Sequence, residues 1–391
     1  MRVLFVCSVS SSHLIPMVPL AWALRTAGHE VRVACDADSA PGALATGLAV
    51  TVVGGDGEFA QRHRRSQMET PGGQGHGRDT VAGMFARNSL DMLDGLMAVV
   101  DGWQPHAMVY EPVAFAAEVV AATRPVPTLR HLWGPDLFAT SPGQWLRRNV
   151  HELLADEFTR HGATGTEVPG NFVIDPCPPE MQRLGPGTPM PIRYVPVDRP
   201  GVVPIWLTDA SPQDRICVTW GTSADAMPTA HPFVQMLHRL SGLGREVLLV
   251  VPPKDLERLP RLPDTVRPVI GAPLHAVLPA CAAVLHHGGA NTMLDAVARG
   301  IPQLAVSDTF ERAFNGERLA STGAGMHLSA RQADAATVEQ AVRLLLDEQR
   351  WAEAAAALCV RMLDRPTPAQ VGAGFEELIR HRATGRGAAK K

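Results

Sequence analysis

Two groups of residues in this 391-residue chain carry chemistry in their types and spacing. The first is the run His286-His287-Gly288-Gly289-Ala290-Asn291-Thr292, set between an apolar strand-like stretch and a helical stretch ending at Gly300. Gly288 and Gly289 let a ligand approach the backbone closely. Free N–H groups and the dipole at a helix start favour an anion there. His287 adds a donor, and Asn291 and Thr292 add side-chain donors on the first turn. Together these groups form a cradle suited to a diphosphate. A plain helix cap with two structural histidines is the alternative. The second group is His13, in Ser11-Ser12-His13-Leu14-Ile15-Pro16, and Glu111, which follows Met108-Val109-Tyr110. Imidazole titrates near neutrality and suits a general base. A carboxylate on its other ring nitrogen fixes the tautomer and stabilises the imidazolium.

The elements that must position these residues alternate. Val3 to Val9 is a continuous apolar run of buried parallel-strand type. A serine loop, a helix carrying Leu20, Ala23 and Leu24, a stop at Gly28 and a strand at Glu30 to Ala34 follow. The pattern predicts further helices near 89–101 and 113–122 and strands at Ala107 to Tyr110 and Thr128 to Leu132. Residues 54–88, rich in Gly, Arg and His, are expected to form a long loop. Proline is dense from 169 to 212 and marks a domain boundary. The second half repeats the alternation, with strands beginning at Arg215, Glu246, Val266, Ala282 and Gln303. The expectation is an α/β protein of two facing, doubly wound parallel-sheet domains. The expected boundaries are 1–197, a linker at 198–213, 214–365, a C-terminal helix at 366–384, and a frayed tail at 385–391. Ligands bind such sheets beyond the carboxyl ends of the strands, where His13, Glu111 and His287 all fall.

Composition removes other classes. The chain is 46% hydrophobic and 19% charged with net charge −3, so neither nucleic acid nor an anionic membrane is an expected partner. Aromatics at 5% also argue against base stacking on nucleic acid. Only Lys254, Lys390 and Lys391 are lysines among 36 basic residues. A phosphate loop with Gly-Lys-Ser/Thr is absent, as is a strand lysine for kinase chemistry. No G-x-G-x-x-G follows either opening strand, which weakens a dehydrogenase reading. The six cysteines are scattered with no C-x-x-C, which suits a reducing, cytoplasmic protein. No apolar run reaches membrane-helix length, so no membrane insertion is expected. With no Asp-x-Asp pair or His/carboxylate cluster in the cleft loops, no metal or other cofactor is expected.

The chain resembles the inverting GT-B glycosyltransferases of family 1, and within them the actinobacterial enzymes that attach nucleotide-activated deoxysugars to polyketide natural products. The likeness runs through VLFV…HLIPMVPLAWALRTAGHEV, LRHLWGPD, IRYVPV, CVTWGTS, APLHAVLPACAAVLHHGGANTMLDAVARGIPQL and DTFERAFNGERLASTGAG. It implies an acceptor-binding first domain, a second domain that binds the sugar nucleotide, and a last helix, 366–384, that returns to the first domain. By that resemblance His13 is the base and Glu111 its partner, although Asp is commoner there. His287, Gly288, Gly289, Asn291 and Thr292 contact the diphosphate, and Trp220, Thr222 and Ser223 lie near the nucleotide. Glu311 and Arg312 stand where relatives place an Asp-Gln pair on the sugar hydroxyls. Gly271 replaces an aromatic residue that stacks on the base in many relatives. His131, Trp133 and Phe138 are candidates for the acceptor surface. The implied reaction is transfer of a deoxyhexose from a thymidine diphosphate sugar to a hydroxyl of a large apolar aglycone, by single displacement. A nucleotide-sugar epimerase of the same fold and a non-catalytic partner of a sister transferase are the rival readings. A homodimer or an auxiliary activator protein is compatible with the main one.

Overall fold

Val3 to Cys7 is apolar throughout and is fully buried as strand β1 (Arg2–Cys7). A strand apolar on both faces needs a layer on each face, the condition of a parallel sheet. The computed structural model of the chain describes residues 1–55, 57–59, 81–166, 172–185, 187–197, 200–207, 215–220, 231–253, 261–307 and 309–380. In it β1 pairs with β2 (Glu30–Asp36) on one side and β4 (Ala107–Tyr110) on the other. With β3 (Ala49–Gly54), β5 (Thr128–His131), β6 (Phe172–Asp175) and β7 (Thr188–Pro191) they form a sheet of order β3-β2-β1-β4-β5-β6-β7, parallel throughout. The strand order reverses between β1 and β4. That point opens the crevice of a doubly wound sheet.

A second sheet repeats the plan with β8 (Arg215–Thr219), β9 (Glu246–Val251), β10 (Val266–Ile270), β11 (Ala283–His286), β12 (Gln303–Ser307) and β13 (Gly325–Ser329). Its order is β10-β9-β8-β11-β12-β13, again all parallel, with the reversal between β8 and β11. Side chains alternate between its faces. Ile216 and Val218 of β8 enter one core with Leu237 and Leu249, and Cys217 enters the other with Leu248 and Val284.

The chain divides into two compact units. One comprises Met1–Pro176, Arg183–Ile192 and the residues from Pro366 onward; the other comprises Cys177–Gln182 and Arg193–Arg365. The return of the C-terminal residues to the first unit has a visible basis. Helix Pro368–Ala373 starts with a capping box in which Thr367 and Gln370 satisfy each other's backbone N–H groups. Gly372 lies against Ala23 and Leu24 of helix Val18–Thr26, and Phe375 and Ile379 are buried.

Two local expectations change. The helix expected near 89–101 spans Val81–Trp103, so residues 81–88 are not loop. Ala82, Met84 and Ala86 extend its buried stripe, which the nearby glycines and arginines mask in the sequence. Residues 56 and 60–80 of that expected loop lie outside the described residues. The proline-dense stretch also contributes two strands, β6 and β7. Pro189 and Pro191 fit because β7 is the sheet edge, where an N–H is needed on one side only.

Candidate active site

The loop after β1 turns sharply to set His13. Val9 has φ +70°, an unfavourable conformation for a β-branched residue. Its N–H donates to Asp36 Oδ2, and Asp36, fully buried at the end of β2, also accepts from Ser39 N–H and Asn88 Nδ2. Asp36, fixed by these two further donors, thus holds the strained turn. Ser10 then caps the short helix Ser11–Leu14 through Ser12 N–H, and His13 sits on that helix.

Glu111 follows β4, and its N–H donates to Val6 O of β1. The carboxylate is fully buried. Oε1 accepts from Ser8 N–H at 3.1 Å and Ser8 Oγ at 2.8 Å, and Oε2 accepts from Val113 N–H at 2.8 Å. His13 Nδ1 stands 3.5 Å from Glu111 Oε2. That is ion-pair range, slightly longer than a hydrogen bond, and catalytic contacts commonly tighten when substrate binds. The His–Glu pair therefore occupies the switch point of the first sheet.

Of the proposed acceptor residues, Trp133 lies on His13, with ring centroids 4.1 Å apart and planes 11° from parallel. His131 is fully buried. Burial pushes its pKa down to about 4, although its hydrogen bond to Leu132 O at 2.8 Å pulls it up. Neutral His131 donates from Nδ1, which leaves Nε2 an acceptor without a partner. Phe138 is buried edge-on to Phe115. Behind it, Glu118 of helix Phe115–Thr123 takes Arg147 and His151 as partners. Burial raises the Glu118 pKa, but the Arg147 charge and the His151 hydrogen bond outweigh it and leave the group below its ordinary value. A lone carboxylate in an otherwise apolar helix was the sequence signal for such a cluster.

In the second unit the His-His-Gly-Gly turn leaves β11 beside β8, since His286 is in register with Thr219. His286 is structural. Its Nδ1 accepts from Gly288 N–H at 3.0 Å and its Nε2 pairs with Gln303 Oε1 at 3.0 Å. Burial lowers its pKa to about 4 against the opposing pull of Gln303. His287 differs. Its Nδ1 is buried with no hydrogen-bond partner among the described residues, and burial first, then the Arg312 charge, hold its pKa well below the ordinary histidine value. Gly288 adopts φ +84° and a Cβ there would meet Arg312 O at 2.8 Å. Asn315 Nδ2 donates to Gly288 O at 3.1 Å and braces the turn. Helix Ala290–Val297 begins at Gly289 with no side-chain cap. The first N–H groups of a helix have no partner within the helix, and its dipole favours an anion there. Asn291 and Thr292 lie on that first turn, Thr292 largely buried.

Glu311 and Arg312 occupy the first turn of helix Phe310–Ala320, near enough to the cradle for the Arg312 charge to act on His287. Trp220 follows β8 and packs edge-on to Phe233 at 5.3 Å. Gly271, after β10, has φ +64° and donates its N–H to Val251 O. Thr222 and Ser223 lie outside the described residues. Among the described residues no group of three or more His, Cys, Asp or Glu is placed to hold a metal, and no helix is long and apolar enough to cross a membrane. The sequence pointed to the His13, Glu111 and His287 positions. It did not point to Ser8, which donates to the Glu111 carboxylate, or to Asp36 and Asn315, which hold backbone groups, because only the fold brings these partners near.

Two parallel-sheet units with polar residues at their switch points are the architecture of the GT-B glycosyltransferases. The spinosyn rhamnosyltransferase SpnG has this architecture. Its structures, with thymidine diphosphate and with spinosyn aglycone, match at TM-score 0.82 and 29% identity over 96% of this chain and 100% of that one. The N- and C-terminal domains of the erythromycin biosynthesis protein CIII-like family match residues 22–221 and 234–378. Tylactone mycaminosyltransferase of Streptomyces fradiae is 31% identical over 99% of this chain and 94% of its own. Aklavinone 7-beta-L-rhodosaminyltransferase of Streptomyces galilaeus is 33% identical over 98% of this chain and 97% of its own. The chain belongs to the erythromycin biosynthesis protein CIII-like family and is a glycosyltransferase.

Proposed function

We propose that this glycosyltransferase moves a deoxyhexose from a thymidine diphosphate sugar to a hydroxyl of a polyketide-type aglycone, with inversion. The observation that carries the reading is the His13–Glu111 pair at the switch point of the first sheet. Nδ1 is the nitrogen facing Glu111, so Nε2 takes the acceptor proton. The freed oxygen attacks the anomeric carbon, the bond to the diphosphate breaks, and the proton remains on His13 as imidazolium beside the Glu111 carboxylate. Thymidine diphosphate leaves with its added charge met by His287 and the amides opening helix Ala290–Val297. Asn291 and Thr292 add donors, and Glu311 and Arg312 face the sugar. Trp220, Gly271, Thr222 and Ser223 complete the nucleotide side. No metal has a role in this scheme. The names of the relatives support the substrate classes: several act on polyketide aglycones, and SpnG was solved with thymidine diphosphate.

The test is His13→Ala with TDP-rhamnose and a panel of tylactone, aklavinone and spinosyn aglycone. Turnover falls by roughly 10²- to 10⁴-fold, the usual worth of a general base. A variant with full turnover refutes the assignment.

A further inference from the structure

His13 is held by more than its carboxylate. Glu111 meets one edge of the imidazole at Nδ1. Trp133 adds a contact to the face of the ring: its indole lies parallel to the imidazole at 4.1 Å and 11°. The indole itself is 7% exposed, so little of its surface is open to a ligand. The segment that follows it is anchored. Asp136, three residues on and buried, accepts from Phe138 N–H, Gly185 N–H and Arg130. The platform is thus built into the first unit rather than offered to solvent.

We propose that Trp133 is a positioning residue for His13: the stack sets the plane of the imidazole, aims Nε2, and covers the cation that forms when the acceptor proton arrives. The inference rests on the base role given to His13 above. An aromatic face attracts a cation, so the contact strengthens as the imidazolium develops and favours the transition state over the ground state. Glu111 and Trp133 then divide the work, one fixing the tautomer and the other the plane.

The test uses Trp133→Leu and Trp133→Phe in the full chain. The assay is TDP-rhamnose with whichever aglycone of the panel the wild type glycosylates. Trp133→Leu lowers kcat roughly 10- to 100-fold, the range for a misplaced catalytic group, with the donor and acceptor KM within about twofold. Trp133→Phe, which keeps a stackable ring, recovers most of kcat. Thermal melting shows that both variants are folded at the assay temperature. A raised acceptor KM with unchanged kcat makes Trp133 a substrate-binding surface and overturns the proposal. So does a Trp133→Phe variant no better than Trp133→Leu. The His13→Ala control separates the two claims. If that variant is inactive while Trp133→Leu is fully active, only the positioning role fails; if it is fully active, the base assignment fails first.

Discussion

At the residue scale, three histidines, one in the turn after β1 and two at strand ends, show how burial divides labour. His13 keeps some exposure beside a buried carboxylate. His131 and His286 are fully buried and neutral, each with a pKa pushed down by burial to about 4 from 6.5. A depressed histidine pKa has a defined sign in stability. Between pH 6.5 and 4 the unfolded chain binds a proton that the folded chain refuses, so stability falls as pH falls through that window. Each histidine costs about 2 kcal/mol by pH 5 and levels off near 3 kcal/mol. Urea unfolding from pH 7.5 to 4.5 shows the decline. His131→Phe flattens it, because only one of the two groups then titrates, and a slope unchanged by that substitution contradicts the assignment.

At the element scale, the site is made by turns that leave strands at a reversal of sheet order. The second sheet makes the requirement plain. The turn after β11 needs a left-handed residue whose Cα passes the Arg312 carbonyl, and Gly288 meets both needs. Gly288→Ala suffers the φ strain and the steric clash together, so it lowers the melting temperature. It also displaces the helix opening proposed to hold the diphosphate. Thymidine diphosphate at about 100 times its dissociation constant stabilises the native state by roughly 2.7 kcal/mol. Thermal shift shows this rise in the wild type, larger for thymidine than for uridine diphosphate, and shows it mostly lost in Gly288→Ala. An undiminished shift removes the turn from the donor site.

At the scale of the whole molecule, each unit has its own parallel sheet and cores, yet the first is completed by residues from the far end of the chain. Phe375 and Ile379 are buried there. Ending the chain at Arg365 strips these two side chains from the first unit. Burial of a large apolar side chain is worth about 1.5–3 kcal/mol, so the loss is about 3–6 kcal/mol. Calorimetry of the truncated chain shows the transition of the first unit moved down and that of the second little changed. Equal movement of both transitions contradicts an assignment of this segment to the first unit alone.

Much of this was legible without coordinates. Continuous apolar strands alternating with amphipathic helices have few stable solutions, and doubly wound parallel sheets are the main one. The glycine pair after an apolar strand marked the cradle because few other residues tolerate such a turn. Local pattern went astray where the fold overrode it. Pro189 and Pro191 are in a strand because that strand is an edge. The helix Val81–Trp103 runs back toward a glycine-rich stretch because its buried stripe continues.

The sequence by itself determined the class of fold, and it pointed to the glycine turn at His287 and to one histidine beside one carboxylate. These follow from periodicity and residue chemistry, which are local. Only the tertiary structure decided that Ser8 and Val113 anchor Glu111, that Asp36 holds the strained turn before His13, and that Trp133 lies on the imidazole. All but the Val113 bond join residues tens to more than a hundred positions apart. No local pattern records them, because they exist only once the strands have found their order in the sheet.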